Sequence, residues 1–230
     1  MFSVAFDFDY EEFRKRIEHF KGTKTKPYHF TPKQRADIVA ACKLMAKASG
    51  RVASLSADRT RDYLLGPYFQ VSSSSEKNEL LRKLRMLDQV IRNPNKTVIF
   101  VDGTSRRLRI KMNPDNIDEY PTWLRQPTSN ADMKDVEAWV FPLPGGAKEH
   151  GTYHVGSGYR IILGQRWVRV TNRFDRAGTI YHELTHKILG TNDHVYGDKE
   201  SRSLRKSDAW RNADNYCHFL INYIKSKRIG

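Results

Sequence analysis

The chain has 230 residues, 39% hydrophobic and 11% aromatic, a balance that suits a domain with a buried core, and no apolar run approaches the roughly 18 residues of a membrane span. It holds 40 Lys and Arg against 26 Asp and Glu, a formal charge of +14; residues 1–115 carry 23 basic and 13 acidic side chains, the remainder 17 and 13. These basic residues are scattered without a compact cluster, which reads as a solvated surface and speaks against nucleic acid as the partner.

In chain order, residues 1–30 read as an N-terminal extension ahead of a single domain over 31–230, with a short helical piece near Glu11 to Phe20. The opening MFSVAFDFDYEEF places acidic residues where a secretory signal carries basic ones and a continuous apolar core, so nothing in it directs Sec export. Thr31-Pro32 forms an N-cap and first-turn proline for a helix to about Ser49, with Ile38, Ala41, Cys42, Met45 and Ala46 on one face. The serine run 72–75 caps a second helix, Glu76 to Arg92, which turns Leu80, Leu81, Leu84, Leu87 and Ile91 inward and stops at Asn93-Pro94-Asn95. The period then changes. Thr97–Val101 and Arg107–Met112 read as strands joined by Asp102-Gly103-Thr104, a Pro-rich loop follows to Asp135, and Val136–Pro142 and Tyr159–Leu163 read as further strands. A last helix, Ser207 to Lys225, carries Ala213, Tyr216, Leu220 and Ile221 inward. The fold class expected is α+β: a helical first part, a small twisted and mostly antiparallel sheet, and two site-bearing helices. The two cysteines, Cys42 and Cys217, exclude a disulfide framework and read as buried thiols, a bridge between them being the alternative.

The stretch 179–197, TIYHELTHKILGTNDHVYG, carries the chemistry. On a helix the spacing of four sets His182 and His186 one turn apart on one face, so both imidazoles can reach one Zn²⁺. Glu183 follows the first of them, where a carboxylate can take a proton from water acidified by the metal. A catalytic zinc takes three protein ligands, so a third donor is needed. Leu189 and Asn192 stand where one common spacing needs Gly and His, and 207–227 holds no Glu. Gly190 is suited to end the helix in a left-handed turn, and Asp193, seven residues beyond His186, is the donor expected, with the adjacent His194 as the alternative.

Gly190-Thr191-Asn192-Asp193-His194-Val195-Tyr196-Gly197 resembles the GTxDxxYG signature of the aspzincins, the deuterolysin and peptidyl-lysine metalloendopeptidase family, and Asn212-Ala213-Asp214-Asn215-Tyr216 resembles the NADxY segment that follows it there. Asp58–Tyr68, with Arg61, Tyr63 and Gly66, resembles a further short motif; the likeness covers roughly 33–225. It implies a zincin-like fold in which His182, His186 and Asp193 bind zinc, Glu183 is the catalytic base and Tyr196 hydrogen-bonds the oxyanion, a plain packed aromatic being the other reading of Tyr196. It also implies that Val136–Pro142, with Trp139 and Val140, is an edge strand over the cleft that holds an extended substrate, and that Tyr159–Leu163 leads to the metal helix. In the lysine-specific branch an Asp and a Glu three residues later grip a lysine ammonium. Here they correspond to Asp214 and Cys217, so a weaker basic preference is expected, with Asp214 as a brace for a ligand histidine the alternative. The function implied is a zinc endopeptidase acting on protein or peptide substrates, either a delivered effector or toxin with an inhibitor or immunity partner, or a cytoplasmic enzyme. The alternative is a basic binding module with structural zinc that docks an acidic partner or nucleic acid.

Overall fold

A computed structural model describes residues 1–6, 30–55, 65–102, 137–139 and 158–227. The Glu11–Phe20 helix, Arg61 and Tyr63, the Arg107–Met112 strand, the Pro-rich loop and Val140 lie outside the described residues.

The architecture is α+β. Helix α1, Pro32–Ala53, starts where Thr31 Oγ1 accepts the Gln34 N–H at 3.3 Å and Gln34 Oε1 accepts the Thr31 N–H at 2.7 Å. After the short α2, Leu65–Phe69, comes α3, Ser74–Arg92, closed by the same reciprocal device between Ser73 and Glu76. Each such cap satisfies amides the helix leaves unpaired and stabilises it by about 1 kcal/mol. The cap sits on Ser73, so Ser74 and Ser75 belong to the first turn rather than to the loop before it. All the residues expected inward on α1 and α3 are buried in the core except Ala46, which packs against it half-buried.

Strands β1, Ser3–Ala5, β2, Thr97–Asp102, β3, Ala138–Trp139, and β4, Gly158–Leu163, form a sheet of order β1-β2-β4-β3 among the described residues. Residues 3–5, within the stretch read as an N-terminal extension, form the strand at one end of the described sheet, with Phe2 in the core and its N–H on Ile91 O at 2.8 Å. The expectation of a mostly antiparallel sheet is corrected: β1–β2 and β2–β4 are parallel, and only β3–β4 is antiparallel. Each parallel pair is joined by a long connection, α1 to α3 for the first and residues 103–157 for the second, which can return the chain in the same direction as a tight hairpin cannot. Val98 and Phe100 on β2 and Ile161 and Leu163 on β4, alternating with the strand period, face the helices.

After α4, Gln165–Arg169, the long α5, Arg173–Leu189, is capped by Asn172, whose Oδ1 accepts the Phe174 N–H at 2.9 Å. It ends at Gly190 with φ 66° and ψ 36°, the left-handed turn the sequence called for. Then come α6, Asp198–Ser203, α7, Lys206–Ala209, and α8, Ala213–Ser226. The single last helix expected over Ser207–Lys225 is broken, because the chain opens near Asn212 to pair with Asn192: the Asn192 N–H meets Arg211 O at 2.7 Å and the Ala213 N–H meets Asn192 O at 2.9 Å. α8 lies directly on α5. A Cβ on Gly178 would come within 2.7 Å of Ile221 Cγ1 and 3.0 Å of Cys217 Sγ, so a glycine is what permits the approach. Cys42 and Cys217 are both buried and free. No helix among the described residues is long and apolar enough to cross a membrane.

Candidate metal centre

The helical spacing of α5 brings His182 Nε2 and His186 Nε2 to 3.1 Å from each other. Their other nitrogens are committed: His186 Nδ1 lies 2.8 Å from the Thr191 carbonyl, which can only accept, and His182 Nδ1 lies 2.8 Å from Asp214 Oδ1. Both rings therefore carry a proton on Nδ1 and turn the Nε2 lone pair inward when neutral. Asp193 Oδ1 completes the group at 3.1 and 3.3 Å from the two Nε2 atoms, all within 4.8 Å of one another. Lone pairs and an anionic oxygen converging at such distances repel unless a proton or cation lies among them. Two imidazoles and a carboxylate are a donor set that suits zinc, and the residues fit that ion.

The turn after α5 is what folds Asp193 back. Gly190 reverses the chain, buried Thr191 aims its carbonyl at His186, and its hydroxyl meets Thr185 Oγ1 at 2.7 Å. Buried Asn212 accepts the amides of His194 and Val195 at 2.9 and 3.3 Å and donates to Asn215 Oδ1 at 2.7 Å. Asn215 in turn donates to the Tyr68 and Ser201 carbonyls at 2.6 and 2.9 Å.

Charge is balanced tightly here. Burial opposes the protonated form of His182, yet the hydrogen bonds its ring donates to Asp193 and Asp214 raise its pKa to about 10. Burial likewise opposes ionised Asp193 and Asp214, but the histidines they touch hold both carboxyls well below the usual range. Glu183 is 4% exposed, and burial pushes its carboxyl up against the pull of His182 and His186. One turn on, Lys187 is 3% exposed and brought down to about 8 by burial, with Glu183 opposing. Tyr196 stacks on His182, centroids 6.2 Å apart and rings 16° from parallel, while remaining 65% exposed. Partial desolvation and the Asp193 carboxylate beside it raise its phenol.

The structure thus brings together His182, His186, Asp193, Glu183, Tyr196 and Asp214. His194 contributes a backbone amide to Asn212 and is not in the donor group. Asp214, expected to face substrate, is 8% exposed with both oxygens engaged inside the chain, Oδ2 accepting the Gly197 N–H at 2.7 Å. Trp139 pairs through its backbone with Ile162 at the end of the described sheet; Val140 lies outside the described residues. Strand β3 runs beside α5, where Glu137 accepts the Thr179 hydroxyl at 3.1 Å one turn before Glu183. Sequence reasoning assigned no role to Thr191, Asn212, Glu137 or His218. Thr191 and Asn212 stood inside the two signature segments and Glu137 inside the stretch read as an edge strand, which was the available signal.

Residues 152–221 match the family model described as lysine-specific metallo-endopeptidase, that of the aspzincins. The chain is 36% identical to the peptidyl-Lys metalloendopeptidase of Armillaria mellea over 94 residues, 38% of this chain and 23% of that protein. It is 45% identical to an extracellular protease of Aeromonas hydrophila over 58 residues, 23% and 17% of the two chains, and 38% identical to the peptidyl-Lys metalloendopeptidase of Pleurotus ostreatus over 71 residues, 28% and 42%. The matches span less than half the length of each of these relatives. The matched residues, 152–221, contain every member of the cluster around His182.

Proposed function

We propose that the chain is a zinc-dependent endopeptidase of zincin-like fold, hydrolysing internal peptide bonds of proteins. The observation that carries this is the convergence of His182 Nε2, His186 Nε2 and Asp193 Oδ1, with each Nδ1 held so that the inner lone pairs are free. His182, His186 and Asp193 hold the metal, three donors that leave a position for water. Zinc, when bound, acidifies that water and polarises the scissile carbonyl. Glu183, buried beside the donors and with its proton affinity raised, accepts the water's proton and hands it to the departing amine. Tyr196, exposed on the outer face of the His182 ring, donates its hydroxyl to the oxyanion as charge develops there. The backbone of β3, at Trp139, takes the substrate as an added strand beside α5.

Two relatives are named for cleavage at lysine. In this chain both Asp214 oxygens accept hydrogen bonds and Cys217 packs under Gly178 of α5, so the negative field offered to a basic side chain is reduced and the preference for basic residues is weaker than strict. The reading extends to a secreted effector or toxin, on the grounds that a free endopeptidase endangers the cell that makes it and that one relative is an extracellular protease. Wild type, Glu183→Ala and the three ligand variants test all this. Wild type is expected to hold about one zinc and to cut a denatured proteome with a partial enrichment of basic residues after the cut, and Glu183→Ala to keep zinc and lose cleavage by at least ~100-fold. His182→Ala, His186→Ala and Asp193→Ala should lose zinc. Equal inertness of wild type and Glu183→Ala, both zinc-loaded, sinks the enzyme reading in favour of a structural zinc. Equal harmlessness of the two when expressed in bacterial cytoplasm, periplasm and a eukaryotic cell sinks the toxin reading.

A further inference from the structure

Asp214 is gripped on three sides, and only two of the three donors belong to the loop and helix of the metal centre. Its Oδ1 takes His182 Nδ1 at 2.8 Å, and its Oδ2 takes the Gly197 N–H at 2.7 Å. The third is His218, one turn further along α8, whose Nε2 lies 3.5 Å from the same Oδ2. Its other ring nitrogen, Nδ1, lies 4.0 Å from Asp198 Oδ1 on α6, beyond hydrogen-bond distance. Asp198 is anchored by the Tyr68 hydroxyl, by Arg202 Nη2 at 2.8 Å and by Asn222 Nδ2 at 3.2 Å, so the ring sits between two immobilised carboxylates. Asn222 also donates to Tyr68 Oη at 2.6 Å and to the His218 carbonyl at 3.0 Å, closing the cluster on α8 itself. His218 is 22% exposed, whereas Asp214 beneath it is nearly sealed.

We propose that His218 is a positioning residue of the metal centre: its Nε2 holds Asp214 Oδ2, and Asp214 then sets both the His182 imidazole and the Gly197 amide next to Tyr196. A carboxylate that orients a ligand histidine must itself be oriented, and a second donor on Oδ2 stops the carboxylate rotating away from Nδ1. Because Gly197 adjoins Tyr196, the same oxygen ties the position of the phenol to that of the ligand. The chain of contacts from Tyr68 and Asp198 on α2 and α6 through His218 to His182 thus links the outer helices to the site.

This inference rests on the metallopeptidase reading, which the Glu183→Ala comparison tests separately. Its own test is zinc retention against a chelator, together with kcat and KM on an unfolded protein substrate, for wild type, His218→Phe and His218→Gln. His218→Phe keeps the ring volume without a donor and is expected to weaken zinc by roughly tenfold or more and to lower kcat with KM unchanged. His218→Gln, whose amide nitrogen can donate to the same oxygen, recovers most of that loss. His218→Phe within threefold of wild type, or His218→Gln as impaired as His218→Phe, overturns the proposal. If His218→Phe does not fold, as read by circular dichroism and melting, His218→Met carries the same expectation and the same refutation. Zinc retention is read without a substrate, so an inactive wild type refutes the enzyme reading while leaving this one decided.

Discussion

Lys187 is a buried cation one turn beyond Glu183, and its charge has a cost. Burial lowers its pKa to about 8 from an ordinary 10.5, with Glu183 pulling the other way. Below about pH 8 folded and unfolded chains both hold the proton, so stability carries the full penalty and no slope from this group. Between about 8 and 10.5 the unfolded chain binds a proton the folded chain has released, so unfolding free energy rises with pH. The rise should be on the order of 3 kcal/mol. Chemical denaturation of metal-free wild type and Lys187→Met across that window checks it: the wild-type curve should climb relative to the variant's. Parallel curves would falsify the assignment. At the same scale, the pairing of His182 and His186 was readable from a spacing of four, whereas the groups that set their tautomers, Asp214 and the Thr191 carbonyl, were not. The proton position depends on a partner's chemistry, not on the histidine's neighbours in sequence.

Helices α5 and α8 meet at Gly178, and the His182–Asp214 bond crosses the same interface one turn later. Gly178→Ala forces Ile221 and Cys217 aside, a steric cost of about 1–3 kcal/mol, and should part the helices enough to stretch that bond. Loss of stability and loss of zinc affinity are expected together. Ser73→Ala, which removes a cap on the distant α3, should cost ~1 kcal/mol with zinc affinity unchanged. Thermal melts paired with zinc titration separate the two cases; a Gly178→Ala protein that keeps full zinc affinity shows that the interface does not transmit to the site. Both capping boxes were legible because they are made within four residues. The break between α7 and α8 was not, since it serves a bridge to Asn192, twenty residues away in the chain.

On the scale of the whole molecule, the residues around 190–197 are held to α5 and α8 by polar bonds and by the stacking of Tyr196 on His182, whereas α1, α3, α5 and α8 share an apolar core with β2 and β4. A metal bound by His182, His186 and Asp193 is a further tie across that loop, and ligand held at 100 times its Kd adds about 2.7 kcal/mol to the folded state. Stripping zinc with a chelator should lower Tm and speed hydrogen exchange first over residues 190–198, with α1 and α3 still protected. Uniform loosening of the whole core, or no change in the loop, would contradict this division.

What the sequence determined by itself is local: the caps of α1 and α3, their inward faces, the one-turn spacing of His182 and His186, the left-handed close at Gly190 and the return of the chain toward the site at Asp193. These depend on helix geometry and on residues within a turn or two, so composition and spacing suffice. Tertiary structure alone decided the parallel pairing of β1, β2 and β4, the inward engagement of Asp214, and the line from Asp198 through His218 to His182. Their partners lie many residues apart. Which of several equally suitable strands, carboxylates or donors meets which is settled by how the helices pack, and no periodicity along the chain encodes it.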